Sequence, residues 1–187
     1  MPKELVAKII FRRSKKIKMN YRFSALLLPL MFIGLQSSLY AQKSIPSVDI
    51  KTLNGQTVNI KDYTHKGEKI TILSFWATWC KPCIQELDAI KDLYADWQAE
   101  YNVQLVAVTI DDQRTLAKVP PLVQTKAWEY IILADPNRAL MAALNFQTPP
   151  QTFLLNQKGD VIYEHTGYVP GNEYELEEKI KAALGKK

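Results

Sequence analysis

Two cysteines stand in the 187-residue chain, spaced as Cys80-Lys81-Pro82-Cys83. An apolar run, residues 70–75, leads into them, and a charged segment of helical periodicity follows. A strand that feeds a CxxC at the start of a helix is suited to disulfide exchange. Unsatisfied backbone N–H groups and the positive end of the helix dipole stabilise a thiolate on the first cysteine, lowering its pKa from about 8.5 toward about 7 or below. The second cysteine, one turn on, is placed to resolve a mixed disulfide. A bridge closing so short a loop restricts the unfolded chain little, so it suits exchange better than stapling. A structural zinc needs four ligands, and no second CxxC or HxxxH supplies them. Lys81 adds a positive charge that favours the Cys80 thiolate, and Pro82 fits the first turn of the helix.

Several elements position this pair. Residues 48–53 and 57–60 alternate around Asn54-Gly55, which reads as a β-hairpin ahead of the main sheet. Residues 70–75 form a buried strand. After the CxxC, Leu87, Ile90, Leu93, Tyr94 and Trp97 recur at three- and four-residue intervals, predicting an amphipathic helix that ends near Asn102. Residues 105–110 read as a second buried strand closed by Asp111-Asp112, a turn at the strand end. Residues 115–126 are weakly helical and broken by Pro120-Pro121. A short strand over residues 130–133 follows, then a helix beginning at Asp135-Pro136 and running to Leu144. Residues 151–156 and 161–166, joined through Lys158-Gly159, form a terminal hairpin, and residues 173–184 a closing helix stopped by Gly185. This order gives an α/β fold, a mixed sheet covered on both faces, with the site at the carboxyl ends of its strands.

The formal charge of +5 does not mark a nucleic-acid binder, because it resides in one segment. Residues 1–41 carry eight Lys/Arg and the single acid Glu4; the remaining 16 basic and 18 acidic residues leave −2 on residues 42–187. No phosphate-binding face is expected. The first segment reads as a leader: a basic stretch to Arg22, then an uncharged run over residues 23–42 with its apolar heart at 25–35. Cleavage after Ala41 makes it a signal peptide. The alternative is an uncleaved anchor, since the run is just long enough to span a bilayer with its basic flank inside. Met19 is a second candidate start. Either way residues 42–187 are expected outside the cytoplasm, in the periplasm or cell envelope.

The segment Phe75-Trp76-Ala77-Thr78-Trp79-Cys80-Lys81-Pro82-Cys83 resembles the thioredoxin active site, and the likeness extends over roughly residues 45–184. Within that superfamily the chain is most similar to the TlpA/ResA branch of extracytoplasmic thiol-disulfide oxidoreductases. Three features carry this: Glu86 three residues after Cys83; an extra helix and strand between Ile110 and Pro149-Pro150; and Pro150-Gln151-Thr152-Phe153-Leu154-Leu155-Asn156 followed by Gly159. The resemblance implies a thioredoxin-like fold with that helix-strand insertion before a cis-proline turn. Cys80 would be the exposed attacking thiolate, Cys83 the partly buried resolving thiol, and Pro150 the cis-proline facing them. It implies reduction of protein disulfides without a cofactor, with apocytochrome c as a candidate substrate and a membrane thiol-disulfide protein as electron donor. Ser74 departs from the pattern, standing where thioredoxin has a buried aspartate. That leaves Glu86 as the candidate acid/base, against the plainer reading of a first-turn acid in the helix dipole.

Among the remaining residues, Trp76 reads as core and Trp79 as a surface for the partner. His65 falls in a polar loop, His165 on the last strand reads as structural, and Glu173, Glu175, Glu177 and Glu178 as a solvated helix face. Two other functions fit the same pattern. A thiol peroxidase would use Cys80 with Thr78 two residues before it. A copper metallochaperone would use Cys80, Cys83 and His165.

Overall fold

The computed structural model describes residues 43–64, 67 and 69–185; the leader assigned to residues 1–41 and His65 lie outside the described residues. A seven-stranded sheet has the order β2-β1-β5-β4-β3-β6-β7, with β1 Asp49–Thr52, β2 Thr57–Asn59, β3 Ile70–Trp76, β4 Val103–Thr109, β5 Ile131–Ala134, β6 Gln151–Leu155 and β7 Val161–Thr166. Strands β3, β4 and β5 run parallel, and β1, β2, β6 and β7 pair antiparallel at the two flanks. The helices are α1 Lys61–Thr64, α2 Lys81–Tyr101, α3 Val119–Lys126, α4 Ala139–Ala143 and α5 Asn172–Ala183. No helix among the described residues is long and apolar enough to cross a membrane.

Every residue of β3, β4 and β6 is buried, as expected for central strands covered on both faces, whereas β7 alternates between half-buried and exposed as an edge strand does. Fully burying each Ile or Leu of β3 and β4 contributes roughly 1.5–3 kcal/mol, so these two strands anchor the core. The buried face of α2 is Cys83, Glu86, Leu87, Ile90, Tyr94, Trp97 and Tyr101, and two phenols, Tyr94 and Tyr130, fasten it to the sheet. Tyr94 Oη accepts from Leu105 N at 3.0 Å, and Tyr130 Oη donates to Leu87 O at 2.8 Å. Burial pushes both phenols' pKa values up. Asn102 caps α2 in the left-handed conformation, φ 51°, close to the expected end.

The expected N-terminal hairpin forms, and β1 also pairs with β5, which carries β2 to the sheet edge. Two local expectations are revised. Pro120 and Pro121 do not break a helix. They lie in the first turn of α3, where backbone N–H groups have no intrahelical partner and a missing one costs nothing. The helix expected at Asp135-Pro136 starts only at Ala139. Instead, the Asp135 carboxylate accepts from the amides of Ala139, Leu140 and Met141 at 2.8, 2.9 and 3.0 Å, satisfying the donors at the start of α4 from outside the helix.

In the terminal hairpin, Gln151↔Thr166, Thr152↔His165, Phe153↔Glu164 and Leu154↔Tyr163 pair in regular register, and Leu155 then pairs with Val161. Ile162 is the extra residue of a β-bulge.

Candidate active site

Strand β3 ends at Trp76, and the chain turns through Ala77, Thr78 and Trp79 before α2 begins. Asp111, fully buried beyond the end of β4, holds this turn. Its Oδ2 accepts from Thr78 N at 2.8 Å and Thr109 Oγ1 at 2.6 Å, and its Oδ1 from Thr78 Oγ1 at 2.7 Å. Cys80 N completes the turn by donating to Ala77 O at 3.0 Å. Cys80 is then the N-cap residue of α2, with extended backbone and no side-chain cap, and Pro82 occupies the first turn. Cys80 and Cys83 are joined in a disulfide with Cα atoms 5.3 Å apart, within the usual range for a bridge. Asp111 was legible only as turn chemistry. Its hold on the loop before Cys80 spans 33 residues and has no local sequence signal.

Glu86 is not a first-turn acid. It lies in the second turn of α2, on the same buried face as Cys83 and one turn below it, and is 2% exposed. Strand register explains what it meets. Ser74 on β3 pairs with Thr152 on β6, and Thr152 with His165 on β7, so three polar residues form one row across the sheet. Glu86 Oε1 lies 2.9 Å from Thr152 Oγ1 and 2.8 Å from His165 Nε2. Thr152 Oγ1 is also 3.3 Å from Ser74 Oγ. A hydroxyl has one proton; Thr152 gives it to the carboxylate, and Ser74 in turn donates to Thr152. His165 donates from Nε2, which fixes its proton there. Glu86 Oε2, His165 Nδ1 and Trp76 Nε1 are buried without a hydrogen-bond partner among the described residues. His165, read from sequence as structural, is therefore the neighbour of the candidate acid/base.

A cleft of about 440 Å³ opens beside the disulfide, with Trp79, Cys80, Met141, Thr148 and Pro149 in its walls. Trp79 is 56% exposed, as a partner surface requires, and Trp76 is fully buried against Trp128. The Pro149-Pro150 peptide is cis. Pro150 itself is buried, and Thr148 and Pro149 are the residues of that turn that line the cleft. Cys80 is less open than the resemblance implies. It retains 5% of its surface, because the cleft walls cover it, while Cys83 retains none.

The structure separates the residues of the two other readings. The Thr78 hydroxyl is committed to Asp111 rather than to Cys80. His165 is directed at Glu86, and among the described residues no group of three or more His, Cys, Asp or Glu is arranged to hold a metal ion.

Residues 41–164 match the model of the AhpC/TSA family. Sporulation thiol-disulfide oxidoreductase A of Bacillus subtilis is 32% identical over 149 residues, covering 79% of this chain and 86% of that protein. Thiol-disulfide oxidoreductase ResA of Bacillus thuringiensis is 29% identical over 139 residues, 74% of this chain and 76% of its own length. A thioredoxin-like protein from Porphyromonas gingivalis, solved in solution, superposes with a TM-score of 0.67 at 39% identity, covering 77% of this chain and 94% of that one. The fold is thioredoxin-like, and the CxxC disulfide at the head of α2 matches the thiol-disulfide exchange for which the relatives are named. The chain belongs to the AhpC/TSA family and, within it, to the ResA-like thiol-disulfide oxidoreductases.

Proposed function

We propose that the protein reduces disulfides of other proteins outside the cytoplasm, with Cys80 as attacking thiolate, Cys83 as resolving thiol and Glu86 as acid/base. The observation that supports this most strongly is the stacking of Cys80, Cys83 and Glu86 along the first turns of α2, with Cys80 beside an open cleft and Cys83 above a buried carboxylate. In the dithiol form, the helix N-terminus favours thiolate on Cys80. That thiolate attacks one sulfur of the substrate disulfide; the substrate S–S bond breaks, and its other sulfur leaves as a thiolate that takes a proton. Glu86, whose Oε2 has no hydrogen-bond partner among the described residues, accepts the Cys83 proton. The Cys83 thiolate attacks the Cys80 sulfur, the mixed disulfide breaks, and the second substrate sulfur leaves as a thiolate that takes a proton as Glu86 gives up the one it accepted. The substrate has gained two electrons, and Cys80–Cys83 is again a disulfide.

The basic and apolar leader over residues 1–41 supports a periplasmic or envelope location, whether cleaved or retained as an anchor. A membrane thiol-disulfide protein then returns the electrons. The haem-attachment cysteine pair of apocytochrome c is a substrate of the right kind. A Cys83→Ser variant tests the exchange, because it arrests the reaction at the mixed disulfide through Cys80. Envelope proteins captured by this variant, and released by dithiothreitol, support the proposal, and capture of none refutes it. The direction is tested by equilibration with glutathione buffers. A potential near the reducing end of the thioredoxin range, about −270 mV, is expected, and one near about −120 mV would make the protein an oxidant.

A further inference from the structure

We infer that the cleft beside Cys80 selects partners in which acidic residues flank the reacting disulfide, through the two cations on its rim, Lys81 and Arg138. This rests on the exchange function proposed above and deepens it.

The cleft is apolar at its base, where Ile110 and Met141 are buried, and Trp79 forms an exposed aromatic wall. Its charged lining residues are Lys81 and Arg138, and it contains no carboxylate. Both cations are exposed, and neither forms an ion pair among the described residues. The nearby acids are already committed: Asp111 to Thr78 and Thr109, Asp135 to three amides of α4, and Asp112 to Arg114 at 3.1 Å. Arg138 owes its place to the inserted segment. It is the N-cap of α4, held at φ 57° while its amide donates to Asp135 O at 2.9 Å, and the same aspartate fixes the helix that follows. Lys81 is the first residue of α2, next to Cys80.

Two cations with no ion-pair partner among the described residues thus line the cleft beside Cys80. The rest of residues 42–187 has the opposite tendency, because their formal charge sums to −2 with these cations counted. Attraction for an acidic partner is therefore local to the cleft, where a segment that pairs with Lys81 and Arg138 lays its apolar side chains against Trp79 and Met141. A basic segment meets like charge at the same two positions.

The test compares three synthetic peptides, each with one disulfide, whose cysteines are flanked by Asp, Ser or Lys, with neutral hydroxyethyl disulfide as a small control. Reduced protein is mixed with each, and the rate of thiol release is followed at low and high ionic strength. Two exposed pairs predict that the Asp peptide reacts about five-fold faster than the Lys peptide at low salt, and that the ratio falls toward one at about 1 M salt. Arg138→Glu and Lys81→Glu should each lower that ratio and together invert it. The ratio is internal to each variant and survives a general loss of activity. Equal rates for the Asp and Lys peptides in the parent protein, or a ratio unmoved in the double variant, refutes the cleft inference alone. Failure to reduce every disulfide, the neutral control included, refutes the exchange function and the cleft inference with it.

Discussion

Replacing Asp111 separates its two kinds of partner. The carboxylate receives three donors, the Thr78 amide and the hydroxyls of Thr78 and Thr109, at 2.6 to 2.8 Å. In Asp111→Asn, the amide oxygen can face Thr78 N and Thr109 Oγ1 while the NH2 takes the place of Oδ1. The Thr78 hydroxyl rotates to accept from it, and its freed proton reaches solvent because Thr78 is only half-buried. Each of the three partners is kept, but the charge is lost and the second N–H of the fully buried amide gains no acceptor, a cost of about 1–2 kcal/mol. In Asp111→Ala no rotation helps, because the Thr78 amide cannot become an acceptor. The orphaned N–H costs about 1–3 kcal/mol, and loss of the hydrogen-bond network brings the total to about 3–5 kcal/mol. At about 3 °C per kcal/mol for a domain of this size, the melting temperature should fall by about 3–6 °C for Asn and about 9–15 °C for Ala. Thermal unfolding followed by far-ultraviolet circular dichroism, on oxidised protein, reads both. Equal losses in the two variants, or a loss under about 1 kcal/mol for Ala, would mean that Asp111 does not carry the turn before Cys80.

Three further outcomes are expected. Glu86→Gln preserves shape but cannot take a proton, so resolution of a preformed mixed disulfide at Cys80 should slow about 100-fold near pH 6, with the gap closing as pH rises and Cys83 ionises unaided; equal rapid-quench rates at pH 6 would remove Glu86 from the chemistry. His165→Leu leaves Glu86 Oε1 with Thr152 alone and should cost about 1–2 kcal/mol in urea unfolding, whereas His165→Gln, which can still donate, should recover most of it. Burial, reinforced by Glu175 beside Tyr163 and Glu173 beside Tyr168, pushes both phenols up to about 12. Because the folded-state values lie above the ordinary 10, the stability they contribute is intact below pH 10 and is lost as pH rises through 12. Absorbance titration at 295 nm should show a phenol fraction that ionises only near pH 12, and its absence in Tyr163→Phe, Tyr168→Phe protein identifies the two residues.

What the sequence disclosed was local. The CxxC, the apolar run before it and the three-and-four spacing after it located β3, α2 and their junction to within a residue or two, because each signal lies within a dozen positions. Proline was misread where its effect depends on position, since Pro120-Pro121 reads as a break in mid-helix and as nothing unusual in a first turn. The contacts made across the sheet could not be read. Nothing near Glu86 in the chain announces His165, 79 residues away, because their meeting depends on β6 pairing with both β3 and β7 in one register. The same holds for Asp135, whose neighbour Pro136 suggested a helix start while its carboxylate served amides four to six residues on.

The bulge at Ile162 has a consequence for how the terminal hairpin can vary. Side chains alternate along a strand, so a slip of one residue would turn His165 away from Glu86 and present its neighbours instead. The bulge lies between the turn at residues 156–160 and the pairs that include His165. It takes up an odd residue there, leaving the Thr152↔His165 pairing to be set from the Gln151 end of the hairpin. Insertions and deletions in the turn can then accumulate through descent without reversing which face of β7 holds the histidine. Loss of one residue between Tyr163 and Thr166 has no such buffer.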